Sequence, residues 1–360
     1  MARIVYGVSG EGSGHSSRAR VMLTHLTALG HTVKVVSYDR GYANLKDDFD
    51  VFETEGLHIA SEDNRVKKVK TFTHNLKRLS KGQQKVNELR QALFKTFDPH
   101  AVITDFEPMT AYLAHHYALP LISIDNQHRL RYMRYACPPE LVADEKLTRN
   151  IIRSMVPSPD VALVTTFYRG EPTNARTFLF TPILRDAVLA LKPECGSHIL
   201  VYLTSGFESF VDILQTFTRE QFIVYGSGRE GREGHLTFKA PSRDGFLHDL
   251  ATSRAVMATA GFTLITEALH LGKPYLALPM RGQFEQEINA HFLAQLGYGV
   301  RMRRIRPEMV GHFLYRLPEL SAKLAEYPAA DNAAILDRLA ELTAGDCAAA
   351  VEFRRRRKEG

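Results

Sequence analysis

Two stretches of this 360-residue chain carry residue types at spacings that could do chemistry. The first is Gly7-Val-Ser-Gly10-Glu-Gly12-Ser-Gly14-His15. An apolar, strand-like run leads into it and a helical pattern follows. Small residues there let backbone N–H groups approach a ligand, and a helix N-terminus favours anions. Three readings compete. A dinucleotide loop needs G-x-G-x-x-G, but counting from Gly10 ends on His15 and counting from Gly12 ends on Ser17, although Asp39 would suit a ribose. A Walker A loop is excluded, because no Gly-Lys-Ser/Thr follows. A tight turn without a ligand is the plain alternative. The third reading makes His15 chemical: a neutral imidazole, with an ordinary pKa of about 6.5, can take the proton of a hydroxyl at neutral pH. Asp105, ending an apolar run at Ala101–Asp105, is the carboxylate expected on its other ring nitrogen. The ordinary role for Asp105 is a cap on the helix expected at Met109–Ala118.

The second stretch runs Ala260-Gly261-Phe-Thr-Leu-Ile-Thr-Glu267, then Gly272-Lys-Pro274, then Gln283-Phe-Glu285-Gln286-Glu-Ile-Asn289-Ala290. A strand ending at Gly261 and passing into a helix makes an anion-binding N-terminus. Glu267, about a turn and a half inside, could accept both hydroxyls of a ribose. By itself a Glu so early in a helix is usually solvent-facing or a capping partner. Glu285 with Gln286 forms an acid–amide pair suited to several sugar hydroxyls at once.

The elements that must position these residues alternate strand and helix. In the first half the expected strands are Ala2–Val8, Thr32–Tyr38, Ala101–Asp105, Leu121–Asn126 and Asp160–Thr166. Helices are expected at His15–Leu29, Val69–Phe97 and Met109–Ala118. In the second half the strands are Ile199–Thr204, Phe222–Tyr225, Leu236–Lys239, Ala255–Thr259 and Tyr275–Pro279, with helices at Thr263–Leu271 and Phe284–Leu296. This grammar predicts an α/β protein of two doubly wound, Rossmann-like parallel sheets facing across a cleft. The expected domains are 1–182 for the acceptor, a 183–196 linker, 197–328 for the donor, and a C-terminal helix with a basic tail over 329–360. Ligands of such folds bind at the carboxyl ends of the strands, which makes the cleft the default site.

Composition narrows the class. Lys plus Arg number 46 against 40 for Asp plus Glu, a net charge of +6. That mild excess suits an acidic ligand or an anionic surface, whereas dedicated nucleic-acid binders are more lopsided. The three cysteines, Cys137, Cys195 and Cys347, show no metal-ligand spacing and no disulfide framework. A reducing, cytoplasmic setting is expected. The Ile4–Val8 run is too short for a signal peptide, and nothing approaches the roughly 20 apolar residues of a membrane span. Asp48-Phe-Asp50 has the form of a metal-binding acid pair but reads as a solvated turn before a strand. His115 and His116 read as packing and solvent contacts.

The ordered second-half pattern resembles nucleotide-sugar glycosyltransferases of the GT-B type, among them the peptidoglycan-precursor N-acetylglucosaminyltransferase and the UDP-glycosyltransferases. Their donor signature is a glycine, a Glu six residues on, Gly-x-Pro, and an acid–Gln pair followed by Asn-Ala. Here these are Gly261, Glu267, Gly272 with Pro274, Glu285-Gln286 and Asn289-Ala290. The resemblance implies that Glu267 holds the ribose and that Glu285 with Gln286 holds the sugar. It places His15 as the base behind the Gly10, Gly12, Gly14 loop, and Asp105 as its partner acid. Phe246 falls where the family meets the nucleotide base. The chain departs from the family in two places. Thr259-Ala260-Gly261-Phe262 replaces a His-Cys-Gly-Trp stretch, so the N–H groups of Gly261 and Phe262, or the Thr263 hydroxyl, must serve the phosphate. A second glycine loop is reduced to Thr204-Ser205-Gly206, whose Ser205 and Gly206 keep the diphosphate role.

The resemblance implies an inverting transferase without metal or cofactor, acting on a nucleotide-sugar donor, with a UDP-sugar expected, and no nucleic acid. A UDP-sugar 2-epimerase is the enzymatic alternative, but no clear set of acids flanks a sugar ring. A nucleotide-sugar-binding module is the non-catalytic alternative. Both differ from a transferase in whether, and how, a donor turns over. The Val69–Phe97 pattern sets an apolar stripe of Val69, Phe72, Leu76 and Leu79 beside Lys70, His74, Lys77 and Lys81. A basic face next to an apolar one suits peripheral attachment to an anionic leaflet and a lipid-linked or glycan acceptor. The ordinary reading is a helix packed on the sheet with a solvated basic face. Flotation with anionic vesicles at low salt separates the two: membrane attachment predicts co-flotation that is lost when Lys70, Lys77 and Lys81 become Glu.

Overall fold

The computed structural model describes the chain except residues 57–60, 63 and 64, 67–84, 204–207, 329 and 330, and 360. Two compact units emerge. One contains most of the chain up to Arg185 together with its end from Asp331, and the other is built mainly from Asp186–Ala330. Among the described residues no helix is long and apolar enough to cross a membrane.

The first unit carries a seven-stranded sheet in the order Thr177–Phe180, Val161–Thr165, Leu121–Asp125, Ala101–Asp105, Arg3–Val8, Thr32–Ser37, Val51–Glu53. Every pairing in it is parallel. The inner strands are buried on both faces, as the continuous apolar runs require. One face packs the Ser13–Ala28 helix through Ala19, Met22, Leu23 and Leu26. The other packs Leu89, Leu93, Phe94, Ala111, Leu113 and Ala114. Of the helix expected over Val69–Phe97, residues 69–84 lie outside the described residues, and with them the basic face of Lys70, His74, Lys77 and Lys81. Residues 85–89 are helical and widen into a π-helical turn at Arg90–Thr96. The strand order switches beside Arg3–Val8, where the chain first crosses the sheet, so Gly10, His15 and Asp105 gather at its carboxyl edge.

The Val51–Glu53 and Thr177–Phe180 strands escape a periodicity reading because short edge strands carry few alternating positions. Asp48 and Asp50 are exposed ahead of Val51–Glu53 and pair with Arg20 and Lys34, as a solvated turn should. His115 Nε2 donates to the Pro157 carbonyl at 2.6 Å, and His116 is exposed.

The second unit repeats the plan. Its sheet runs Gly231–Glu233, Leu236–Lys239, Gln221–Tyr225, His198–Tyr202, Ala255–Thr259, Tyr275–Leu278, Gly299–Arg301. Only the Gly231–Glu233 edge is antiparallel. Phe210, Leu214, Phe222, Phe238, Phe313 and Leu320 fill one core cluster.

The C-terminal segment is not a free basic tail. Ala333–Glu359 is two helices broken at Ala344 to Cys347, and it belongs to the first unit. Ile335, Leu339, Leu342, Cys347 and Ala350 join the core cluster of that unit's sheet. Arg354 and Arg357 reach Asp160, a fully buried carboxylate, at 3.3 and 2.5 Å. Asp160 also accepts from the Leu121 N–H at 2.9 Å. Replacing both arginines by Ala leaves that charge buried on one N–H and should cost about 3–5 kcal/mol. A lowered denaturant midpoint with an unchanged slope is the expected reading.

Candidate active site

Arg3–Val8 ends under a loop that turns back into the Ser13–Ala28 helix. Gly10 is glycine for packing: a Cβ there would stand 2.1 Å from the Tyr38 carbonyl oxygen. Gly12 is glycine for conformation, with φ +80° at the helix N-cap and open space around it. Gly14 is the second residue of the helix, and His15 follows on its first turn. Asp39, weighed above as a ribose contact, is exposed at the start of the Asp39–Leu45 helix.

His15 and Asp105 meet. His15 Nδ1 lies 2.6 Å from Asp105 Oδ1, with Asp105 wholly buried and His15 nearly so. Asp105 is not the cap of the next helix. Glu107 is, its carboxylate accepting from the N–H groups of Met109 and Thr110 at 2.9 and 2.7 Å. Burial raises the Glu107 pKa against those hydrogen bonds.

Arg18, which the sequence reading did not single out, completes the site. It stands three residues after His15 on the same helix face. Its Nε donates to Asp105 Oδ2 at 2.8 Å and Nη2 to Oδ1 at 2.5 Å, a bidentate pair. Its Nη1 donates to Asn126 Oδ1 at 2.7 Å. Burial works against the Arg18 charge, but the Asp105 carboxylate outweighs it and holds the guanidinium above its ordinary range. Arg18 Nη2 also stands 3.1 Å from His15 Nδ1, but a carboxylate only accepts, so the 2.6 Å contact with Asp105 takes the hydrogen of His15 Nδ1. His15 Nε2 is then the lone pair. The i, i+3 spacing of His15 and Arg18 was the available signal.

In the second unit, Gly261 is the N-cap of Phe262–His270, with no side chain capping the first turn and open space where a Cβ would be. The N–H groups of Phe262 and Thr263 therefore head an uncapped helix. The loop is held from behind. Asn289 Nδ2 donates to the Ala260 carbonyl at 2.9 Å, and the Tyr275 hydroxyl donates to the Thr259 carbonyl at 2.7 Å. Asn289 is thus part of the loop's scaffold. Glu267 is buried, 2% exposed, so it is not a solvent-facing helix residue. Burial, Tyr202 and the Glu267 charge push the Tyr275 phenol well up.

Glu285 opens the Phe284–Gln295 helix and is half-buried. Gln286 is partly committed: its Oε1 accepts from the Met280 N–H at 3.0 Å. Phe246 packs edge-on against Tyr202 and Tyr225, with centroids 5.6 and 5.2 Å away. Both tyrosines end strands, and the sequence reading had not linked them to Phe246. Ser205 and Gly206 lie outside the described residues.

The family model described as glycosyl transferase family 1 matches residues 2–318. The chain belongs to this family. It is therefore a glycosyltransferase. An uncharacterized glycosyltransferase of Methanosarcina mazei is 24% identical over 335 residues, covering 82% of this chain and 84% of the relative. One from Methanosarcina acetivorans is 25% identical over 340 residues, 86% of each. Among solved structures, the glycotransferase of kitacinnamycin aligns with TM-score 0.63 and 16% identity over 98% of both chains. Phytolacca americana UGT2, complexed with UDP-2fluoro-glucose and pterostilbene, aligns with TM-score 0.63 and 12% identity over 99% of both. VinC in complex with dTDP aligns with TM-score 0.62 and 15% identity, over 94% of this chain and 99% of that one. These likenesses establish the GT-B fold with its two parallel-sheet domains.

The Gly272-Lys273-Pro274 turn of this transferase hides a charged group that the signature leaves as x. Lys273 is 3% exposed, and its Nζ donates to the carbonyls of Glu194 and Ser253 at 2.6 and 2.7 Å. Burial lowers its pKa from 10.5 to about 8. Between those values the unfolded chain holds a proton that the folded chain has lost, so this group makes stability rise with pH across that window. Chemical denaturation from pH 7.5 to 10.5 should show wild type gaining on Lys273→Met, and parallel curves would remove the assignment.

Proposed function

We propose that the enzyme is an inverting, metal-independent transferase that moves a sugar from a nucleoside diphosphate, a UDP- or dTDP-sugar, to an acceptor hydroxyl. The observation that carries this reading is the 2.6 Å contact of His15 Nδ1 with Asp105. It supports a neutral imidazole whose Nε2 can take a proton. In the proposed step the acceptor hydroxyl loses its proton to His15 Nε2. Its oxygen forms a bond to the anomeric carbon as the bond to the diphosphate oxygen breaks on the opposite face. The departing diphosphate carries the electron pair away. The N–H groups at the start of the Phe262–His270 helix, those of Phe262 and Thr263, are suited to receive that charge, as preorganised dipoles.

Donor recognition is assigned to Glu267 for the ribose, Glu285 and the Gln286 amide for the sugar, and the aromatic group at Phe246 for the base. Ser205 and Gly206 are retained for the diphosphate on the resemblance alone. The UDP-2fluoro-glucose bound to UGT2 and the dTDP bound to VinC fit this choice of nucleotide.

A screen of UDP- and dTDP-sugars with mass-spectrometric detection tests the whole. His15→Ala should lower turnover by about 10²–10⁴-fold with donor affinity nearly unchanged. Wild-type rates in that variant, or loss of transfer in EDTA, would remove the mechanism. Glu267→Ala should weaken binding of the free nucleoside diphosphate by about 1.5–3 kcal/mol in calorimetry.

A further inference from the structure

A second histidine–carboxylate pair stands at the same edge of the first sheet, and the proposed reaction does not use it. Asp125 ends the Leu121–Asp125 strand. Its oxygens accept from the His128 backbone N–H at 2.7 Å and from His128 Nδ1 at 2.6 Å. Both side chains are wholly buried. Burial alone would raise the Asp125 pKa, but His128 and these hydrogen bonds hold it low. Nδ1 is taken up by Asp125, whereas Nε2, the other ring nitrogen, has no hydrogen-bond partner among the described residues. Buried polar atoms are almost always paired, so an orphan at the edge where ligands bind points to a partner that arrives from outside.

The second pair is joined to the first. Arg18 spans from Asp105 to Asn126, the neighbour of Asp125. Phe106, directly after Asp105, touches both imidazoles. It stacks on His15 with centroids 6.4 Å apart and planes at 16°, and it meets His128 edge-on at 6.4 Å. Tyr132 stacks on His128 at 5.3 Å. Phe106 also sits at φ +56°. That left-handed backbone is costly for an aromatic residue, and such strain gathers where a structure is built to switch or bind.

We propose that His128 determines acceptor specificity. Phe106 turns aside, and a ring-shaped acceptor with at least two hydroxyls, a sugar or another polyol, takes its place. One hydroxyl faces His15 Nε2 and a second donates to His128 Nε2. Asp125 fixes the tautomer that can accept. This inference rests on the transferase reading and adds to it a reason for discrimination. An acceptor without the second hydroxyl leaves the buried Nε2 unpaired, and sites built on a hydrogen bond reject such analogues strongly.

Two measurements on the full chain test it. Diethylpyrocarbonate acylates an unprotonated imidazole nitrogen, and peptide mass spectrometry reads each histidine. His128 should be inert in the wild type and reactive in Phe106→Gly, with exposed His116 as internal control. Glycine suits the positive φ, so this variant keeps the loop. An inert His128 in Phe106→Gly overturns the proposal. The second measurement uses the acceptors that the wild type turns over. His128→Asn keeps a donor for Asp125 but lacks an atom at Nε2, while His128→Gln restores an acceptor there. The Asn variant should raise the acceptor KM about tenfold with kcat nearly unchanged, and Gln should recover most of the loss. Equal losses in both variants, or no loss in either, overturn it. If the wild type transfers to no acceptor, the transferase reading fails, while the labelling result still decides access to His128.

Discussion

A carboxylate with no solvent contact must be neutralised inside the fold, and Asp105 is that carboxylate. Arg18 supplies the charge through a two-pronged contact, so the imidazole of His15 is not needed as a counter-ion. That division of labour leaves the His15 ring hydrogen-bonded through Nδ1 alone to the carboxylate. It also explains why the helix after the glycine loop must present two polar groups toward the sheet rather than one. Breaking the Arg18 contact would strand a buried charge, a larger loss than the pair's own attraction suggests. The glycine loop, the strand end and the Asn126 position are all arranged around this pairing.

The loop before Gly261 in the second unit is built differently. There side chains hold the backbone in place. Asn289 and Tyr275 grip the carbonyls just before Gly261, and Gln286 grips the Met280 N–H. A helix start held this way offers N–H groups whose direction is set before any ligand arrives, which suits a diphosphate.

Strain and closure sit at the margins of the first unit. Non-glycine residues with positive φ include Asp39 and Phe106, each within two residues of a strand's carboxyl end. The surrounding core is rigid enough to hold them. Part of that rigidity comes from the end of the chain, whose helices complete the core cluster and clamp Asp160.

The sequence alone determined the alternation of strand and helix, because buried parallel strands must be apolar runs and their helices must carry a matching stripe. Ala101–Asp105, Leu236–Lys239 and Ala255–Thr259 were legible to the residue for that reason. It also singled out His15, Asp105 and the ordered Gly261 to Ala290 pattern as candidates, since those residue types stand at spacings set by strand, turn and helix. Only the tertiary structure decided which polar groups meet. Arg18 and Asn126 lie 108 positions apart, and Phe106 joins two histidines that no local pattern relates. It decided that Asn289 braces a loop, that Arg354 and Arg357 are core ion-pair partners rather than a tail, and that Lys273 is buried. Periodicity records which face of an element is apolar. It does not record which buried charge will need a partner, because that depends on what the sheet brings alongside.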